Sequence, residues 1–291
     1  MVFASTIHEM KLSPLQISLL LAGAAFAALI AGAVVGISGR VAYLVLIAPM
    51  VATLATAAVC RSLIGSLKVA NPKFGSFVGV LAAILTMFAI LTVQLELERA
   101  WVIDELTGVQ GLGDTALQAQ VDAWLDERTG HAPRWSAPLA LRAHNGVRLM
   151  GDTTLNLGFG LNLAILLLEI LAAAFIGWRL VRARAAEPFC VHCQNWYARR
   201  IVASGALGVA PSAQAELKNR RFHRLGRRLA PGAIKNPVLL HGRFCDTCTK
   251  GQVYFELEVR AVGGRARIVH AEEADHGALE AILDSQALRR M

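Results

Sequence analysis

The sequence predicts a membrane all-α region of four transmembrane helices, followed by a small α+β, zinc-ribbon-like cytoplasmic domain. First, 55% of the residues are hydrophobic and only 17% are charged, and the mean hydropathy is +0.49, as is typical of membrane proteins. Second, the apolar residues are concentrated in four runs long enough to cross a bilayer, which takes about 20 residues. Third, two C-x-x-C pairs follow the last of these runs.

Three of the predicted spans are clustered near the start of the chain. Residues 1–14 are weakly charged and lead into an apolar run without a convincing cleavage site. We therefore expect a cytoplasmic N-terminus and a retained first span rather than a removed signal peptide. The three spans are expected at about 15–35, 41–60 and 74–95, within residues 15–95.

Glycine spacing and one proline indicate how these spans pack. Gly32 and Gly36 in the first span, and Gly75 and Gly79 in the third, have the spacing that lets two helices approach closely. The same spacing also arises by chance in spans rich in small residues. Pro49 interrupts the second span and predicts a kink, which serves either packing or a substrate path.

Residues 96–152 form the one sizeable loop expected between spans. Nine acidic residues stand there against five arginines, so the loop is acidic. Apolar positions at helical spacing in residues 116–128 predict a short amphipathic helix. Trp101, Trp124 and Trp135 either line a site or lie at the membrane surface, where tryptophan is enriched.

The distribution of basic residues predicts the orientation. Four spans place both termini on one side, together with the basic segments 61–73 and 179–200. Because basic segments are retained in the cytoplasm, we expect both termini there and the acidic loop outside. Arg40, in the first outside turn, is an exception to this pattern.

The fourth span, expected at 155–181, contains Glu169 near its middle. A charge at the bilayer centre costs about 3 kcal/mol on insertion scales, so this side chain should face other helices or water, or be protonated. Asn162 lies seven residues earlier and so on the same helical face. Glu169 and Asn162 are therefore candidates either for an intramembrane path or for a carboxyl that fixes helix packing.

The two cysteine pairs predict a metal site in the cytoplasmic region 185–291. Cys190 with Cys193 and Cys245 with Cys248 are each preceded by phenylalanine, and two such turns can surround one Zn(II) tetrahedrally. Four thiolates leave no open coordination position, so the metal is expected to be structural and to stabilise a small domain with little core of its own.

Other interpretations of the cysteines fit less well. Haem attachment needs a histidine after the second cysteine, whereas Gln194 follows Cys193. A thioredoxin-like pair needs a strand before it and a helix after it, whereas this pair follows a membrane span. Free thiols remain an alternative, and His192 is a possible replacement ligand that four cysteines make unnecessary.

Between the cysteine pairs, residues 212–229 predict one basic helix with Ser212 as its N-cap. The tether to the membrane makes anionic headgroups its nearest partner, with nucleic acid as the rival and a solvated positive face as the plainest interpretation. The basic side chains concerned are Lys218, Arg220, Arg221, Arg224, Arg227 and Arg228.

The C-terminal residues predict a hairpin and a helix. Apolar and polar residues alternate in 253–260, as in a half-buried strand. Residues 263–264 are both glycine and indicate a turn, after which 266–271 can form the return strand. A terminal helix is expected at about 275–288. Paired cysteine turns beside a hairpin are typical of a zinc-ribbon-like module.

Several motifs together resemble a group of uncharacterised bacterial multi-pass membrane proteins with a C-terminal C-x-x-C…C-x-x-C cytoplasmic domain. They are the Lys-x-x-Asn-Pro-Lys segment 68–73, Trp135 followed by Ser136, the glutamate in the fourth span, and Pro188-Phe189-Cys190 with its paired cysteine. The resemblance implies a location in the bacterial inner (cytoplasmic) membrane and a cysteine-rich cytoplasmic domain. It brings no known activity.

No nucleotide-binding loop, zinc-protease motif or nucleophile elbow is found in the sequence, so we expect a protein that is not an enzyme. The first hypothesis is a membrane-anchored interaction or scaffold module that binds a protein partner or the lipid surface. The second is a small transporter or channel subunit that uses Glu169. The third is a membrane-anchored nucleic-acid-binding regulator that uses the basic segment.

Overall fold

A computed structural model describes residues 12–38, 47–110, 114–148, 154–232, 235–248, 252–260 and 266–288. The chain divides into two compact units, Met1–Ala186 and Glu187–Met291. The first unit is helical apart from one short hairpin, and the second is built on an antiparallel sheet.

Within its described residues, the first unit contains the predicted four helices that are long and apolar enough to cross a membrane. Two shorter helices and a two-stranded hairpin lie between the third and fourth of them. The elements are α1 (Pro14–Ser38), α2 (Ile47–Ser66), α3 (Pro72–Gln110), α4 (Asp114–Arg128), α5 (Ala137–Asn145), β1 (Val147–Arg148), β2 (Thr154–Leu155) and α6 (Phe159–Ala185).

Helix α3 is longer than its predicted span. At 39 residues it measures about 58 Å, nearly twice the hydrocarbon thickness of a bilayer, and it continues 15 residues beyond position 95. The extension is stabilised by α4, because Arg99 donates to Gln118 at 2.8 Å and lies 3.7 Å from Asp122. The predicted acidic loop is therefore largely helical in the described residues, and α4 matches the predicted amphipathic helix.

The start of α2 bears on the predicted kink at Pro49. In the described residues α2 runs from Ile47 to Ser66, so Pro49 is the third described residue of this helix. The predicted residues 41–46 of this span, and Arg40, lie outside the described residues. The kink at Pro49 therefore stays a prediction.

Small residues bring the spanning helices into close contact. A methyl group added at Gly32 would lie 2.5 Å from Ala89 Cβ, and one added at Gly75 would lie 2.6 Å from Ala185 Cβ. At Gly79 the added atom would overlap the carbonyl oxygen of Gly177, so α3 and α6 touch through their backbones. The predicted close approach at these glycines is confirmed.

The second unit is a five-stranded antiparallel sheet with three helices. A separate two-stranded hairpin, β3 (Phe189–Cys190) with β4 (Asn195–Trp196), precedes it. The sheet order is β6-β5-β7-β8-β9. The strands and helices are β5 (Ala198–Gly205), α7 (Ala210–Lys218), α8 (Phe222–Arg228), β6 (Ala230–Pro231), β7 (Val238–Phe244), β8 (Val253–Arg260), β9 (Ala266–Ala274) and α9 (His276–Ala287).

This unit has a substantial hydrophobic core, contrary to the prediction of a domain with little core. Val238, Phe255 and Leu257 on the sheet pack with Leu217 of α7 and Leu225 of α8, and all five are fully buried. Burial of each such side chain contributes about 1.5–3 kcal/mol, so the core stabilises this unit independently of any metal. The predicted hairpin is confirmed as β8 and β9, with its turn outside the described residues.

The prediction of one continuous basic helix at 212–229 is wrong, because the segment forms two helices. Helices α7 and α8 are separate, and Arg220 between them has a φ of 56°, a left-handed conformation that an α-helix cannot contain. The N-cap of α7 is Val209 rather than Ser212, whose hydroxyl donates to the Val209 carbonyl. The C-terminal helix is α9, and Asp275 caps it by accepting from Ala278 N at 3.0 Å.

Candidate metal centre

Strand pairing brings the two cysteine pairs together. Strand β5 begins just after the first pair and β7 ends just before the second, and these strands are antiparallel neighbours. Their register places Ala198 opposite Phe244, so the chain leaves this end of the sheet at two adjacent points. Residues about 55 positions apart in sequence thus meet because β5 and β7 pair.

The first pair is held in a tight hairpin turn. Cys190 ends β3 and pairs with Asn195 of β4, and the Cys193 amide donates to Cys190 Sγ at 3.5 Å. Gln194 closes the turn with a φ of 47°, a conformation uncommon for a residue other than glycine. Below the turn, the rings of Phe189 and Trp196 meet edge to face, with centroids 5.0 Å apart. Both sulfur atoms of the pair therefore lie on the same side of one rigid loop.

All four sulfur atoms lie within 4.8 Å of one another. Cys190 Sγ is 3.6 Å from Cys248 Sγ, which is far longer than a disulfide bond of about 2.05 Å. A tetrahedral ion with metal–sulfur bonds of about 2.3 Å separates its sulfur ligands by about 3.8 Å. The sulfur atoms of Cys190, Cys193, Cys245 and Cys248 therefore lie close enough together to hold one metal ion, with Cys190 and Cys245 buried and the other two partly exposed.

Crowding of the thiols changes their ionisation. Burial opposes ionisation of Cys245, but hydrogen bonds from the amides of Thr247 and Cys248 and from two thiols lower its pKa to about 7. Hydrogen bonding to Cys248, together with burial, raises the pKa of Cys193 to about 12. One thiolate thus forms readily, while the Cys193 thiol holds its proton more tightly than usual. An arriving cation would displace that proton, as metal binding to thiols requires.

The surroundings of the cysteines contain no further ligand among the described residues. His192 is exposed in the turn and is not part of the sulfur cluster. Arg200 pairs with Asp246 at 2.7 Å beside the second pair of cysteines. After Cys193 the chain enters β4 rather than a helix, unlike a thioredoxin-like pair. The donor set is therefore four sulfur atoms.

The same sheet carries a buried ionic cluster that the sequence analysis did not predict. A half-buried strand at 253–260 predicts a solvated polar face, yet Glu256 and Glu258 of β8 are buried. Glu256 lies 2.9 Å from Arg243 Nε, and Glu258 lies 3.0 Å from His241 Nε2. Arginines of β5, β7 and β8 itself pair with these acids, because burying an unpaired carboxylate is costly. The basic members of the cluster are Arg199, His241, Arg243 and Arg260.

In the helical unit, Glu169 and Asn162 share the buried face of α6, as predicted. Asn162 Nδ2 donates to the Ala143 carbonyl at 3.1 Å and so ties α6 to α5. Glu169 Oε2 lies 3.7 Å from Nη2 of Arg142, with both side chains buried. Arg142 belongs to α5, which lies in the segment predicted to be an acidic loop. Arg142 was therefore not identified from the sequence as the partner of Glu169.

The predicted basic residues of the second unit are exposed but not equivalent. Arg220 is paired with Glu272 at 2.7 Å, and Arg228 with Glu216 at 3.4 Å. For Lys218, Arg221, Arg224 and Arg227, the described residues provide no ion pair. The positive charge is therefore partly neutralised within the fold.

Comparison with known proteins gives no indication of function. No family model matches the chain, and no curated protein or solved structure is significantly similar to it. What stands is a membrane-type helical unit and a strand-rich unit with a four-cysteine cluster able to hold a metal ion.

Proposed function

We propose that the chain is a multi-pass membrane protein whose second unit is an interaction module stabilised by a structural Zn(II), and that it is not an enzyme. The observation that carries the proposal is the convergence of four sulfur atoms within 4.8 Å at one end of a well-packed sheet. A tetrahedral ion with four thiolate ligands has no open position for substrate. The ion would hold the two turns in a zinc-ribbon-like arrangement and leave the helices and sheet to bind a partner.

The choice of zinc follows from the ligands. Four thiolates in tetrahedral geometry suit Zn(II) or an iron–sulfur cluster, whereas hard cations prefer oxygen. Zn(II) supplies fixed geometry without redox chemistry, which fits a site next to a sheet core.

For the location, we propose the bacterial inner membrane with both termini in the cytoplasm. Basic residues gather at one end of the helical unit: Arg184 Nη2 lies close to Gly65 at the end of α2, and Arg182 stacks on Trp178 at the end of α6. Basic residues at one end of a bundle favour that end for the cytoplasm, where thiols are kept reduced.

The two other functions are less well supported. A transporter that uses Glu169 needs a carboxyl free to change its charge or ligand, whereas an arginine lies 3.7 Å from it. The nucleic-acid-binding hypothesis is based on one continuous basic helix, whereas the basic segment is broken at Arg220 and partly neutralised.

The test is metal analysis of the full-length protein purified in a maltoside detergent, together with identification of co-purifying proteins. We expect about one zinc per chain, a colourless protein, and loss of the metal in the Cys193→Ser variant. Cys60→Ala is the matched control, because Cys60 is a buried thiol of the helical unit and should leave the metal content unchanged. A metal-free protein, or Cys193→Ser protein that retains full metal, would refute the proposed site.

A further inference from the structure

The second unit has a cavity of about 520 Å³ between the start of α8 and the first turns of α9. Four basic side chains line it: Arg220, Arg221, His223 and Arg224. Asp275 is the acidic side chain in the lining. Within the part of the chain that the structure describes, this cavity concentrates basic side chains at one place.

The walls of the cavity are fixed by close packing of α8 on α9. A methyl group added at Gly226 of α8 would lie 2.6 Å from the Ile282 carbonyl oxygen and would overlap Ser285 Oγ. On the other side of α8, Phe222 packs on Phe255 of the sheet, with ring centroids 5.5 Å apart. Because α8 is clamped on both sides, the arginines at its start are carried on a rigid backbone.

Charges around the cavity leave a positive surplus. Glu272 holds Arg220 at 2.7 Å, and the Asp275 carboxylate accepts a hydrogen bond from the Ala278 amide as the cap of α9. Arg221 and Arg224 have no ion pair among the described residues. Two cationic groups thus face the cavity without a carboxylate partner, against the one acid already engaged as a cap.

We propose that this cavity binds a phosphate group, with Arg221 and Arg224 as its ligands and Arg220 positioned by Glu272 behind them. The planar guanidinium matches the oxygens of a phosphate, and charge-assisted hydrogen bonds of this kind are among the strongest in proteins. The cavity is broadly open to solvent, so only the phosphate end of a ligand has to enter it, and the phosphate is carried by a compact molecule or by a lipid headgroup. This inference goes beyond the proposed interaction module and does not depend on the metal.

Titration calorimetry on the full-length, metal-loaded protein in maltoside detergent tests it. Inorganic phosphate is the first probe, and water-soluble short-chain phosphatidic acid is the second, to distinguish a free phosphate compound from a headgroup. Arg224→Gln should weaken binding of the probe about tenfold, because it removes a charge-assisted hydrogen bond. Arg227→Gln is the matched control: it makes the same charge change on the same helix, outside the cavity lining.

Binding of either probe that Arg224→Gln weakens and Arg227→Gln leaves intact supports the site. If only phosphatidic acid binds in this way, the ligand is a headgroup. Absence of binding by both probes, or an equal loss in the two variants, would overturn the proposal, since an equal loss means general charge attraction. Metal content measured on the same samples keeps this outcome separate from the fate of the zinc site.

Discussion

Arg142 and Glu169 form a buried ion pair in the helical unit, with Nη2 and Oε2 3.7 Å apart. Glu169 is the eleventh residue of α6, about 15 Å from its start, which is half the thickness of the hydrocarbon core. Arg142 reaches it from α5, a nine-residue helix too short to span. A short helix therefore supplies a counter-charge to the acid in the middle of α6.

Removing one member of the Arg142–Glu169 pair should lower the stability of the protein more than removing both members. Glu169→Gln removes the negative charge beside the buried Arg142 guanidinium, so we expect a loss of about 3 kcal/mol in the free energy of unfolding. The double variant Arg142→Met/Glu169→Leu removes both charges at similar volume and should recover most of this loss. Thermal unfolding of the full-length protein in detergent measures the three stabilities.

Arg134→Gln is the control for charge alone, because Arg134 is an exposed arginine just before α5. It should leave the unfolding temperature unchanged. Wild-type stability in Glu169→Gln would instead mean that the acid is not held by Arg142, and would revive the interpretation of Glu169 as a transport group.

Backbone contact between α3 and α6 predicts a second sensitive position. Gly79→Ala places a methyl group on the Gly177 carbonyl oxygen, so the helices must separate. Overpacking of this kind costs about 1–3 kcal/mol. We expect a lower unfolding temperature in detergent and faster proteolysis of the helical unit.

The matched control is Gly160→Ala in α6, where nothing lies within 4 Å of the added methyl group. There the substitution should be neutral or slightly stabilising, because alanine has the higher helix propensity. Equal effects at the two glycines would show that α3 and α6 do not touch at Gly79.

The ionic cluster of the sheet predicts a pH dependence. Burial, reinforced by the nearby Arg199 charge, lowers the pKa of His241 below its ordinary value of 6.5. Because the folded state disfavours the charged imidazole, stability is lost as the pH falls below 6.5 towards that depressed pKa. The pKa of Glu258 is also depressed, despite burial, by Arg260 and His241, so its contribution is lost only below about pH 4.5.

His241→Gln should therefore flatten the decline in stability of the second unit between about pH 6.5 and 4.5. His223→Gln, which alters an exposed histidine of α8, should retain the wild-type decline. Urea unfolding of the full-length protein in phosphate-free buffer gives the slopes. Both variants keep the four cysteines, so pH-dependent metal binding is common to them and cancels in the comparison. Identical slopes would contradict the role of His241.

The sequence was most informative where chemistry and spacing coincide. Hydropathy predicted the four described helices that are long and apolar enough to cross a membrane, because a run of about 20 apolar residues is rare outside such helices. Alternation predicted β8 and β9, and Gly79 predicted a close helix contact. The cysteine spacing predicted the sulfur cluster without revealing the larger sheet that carries it.

Long-range pairing limited what could be predicted. Arg142 lies 27 positions before Glu169, in a segment whose polar composition favours a loop, so its burial depends on how α5 packs. Glu256 and Glu258 alternate like solvated residues, and arginines from other strands, Arg199 of β5 and Arg243 of β7, make their burial possible. The break at Arg220 depends on packing of α7 and α8 and has no proline or glycine to mark it.

The register of β5 against β7 gives the metal a further consequence. Cys245 directly follows Phe244, which is paired with Ala198, so a slip of one residue would move that sulfur by about 3.4 Å. This displacement is about as large as the 3.6 Å between the sulfur atoms of Cys190 and Cys248. The four sulfur atoms could then no longer surround one ion. A metal ion bound there would therefore stabilise only chains in which β5 and β7 pair in the correct register, and chains with a shifted register would not retain it.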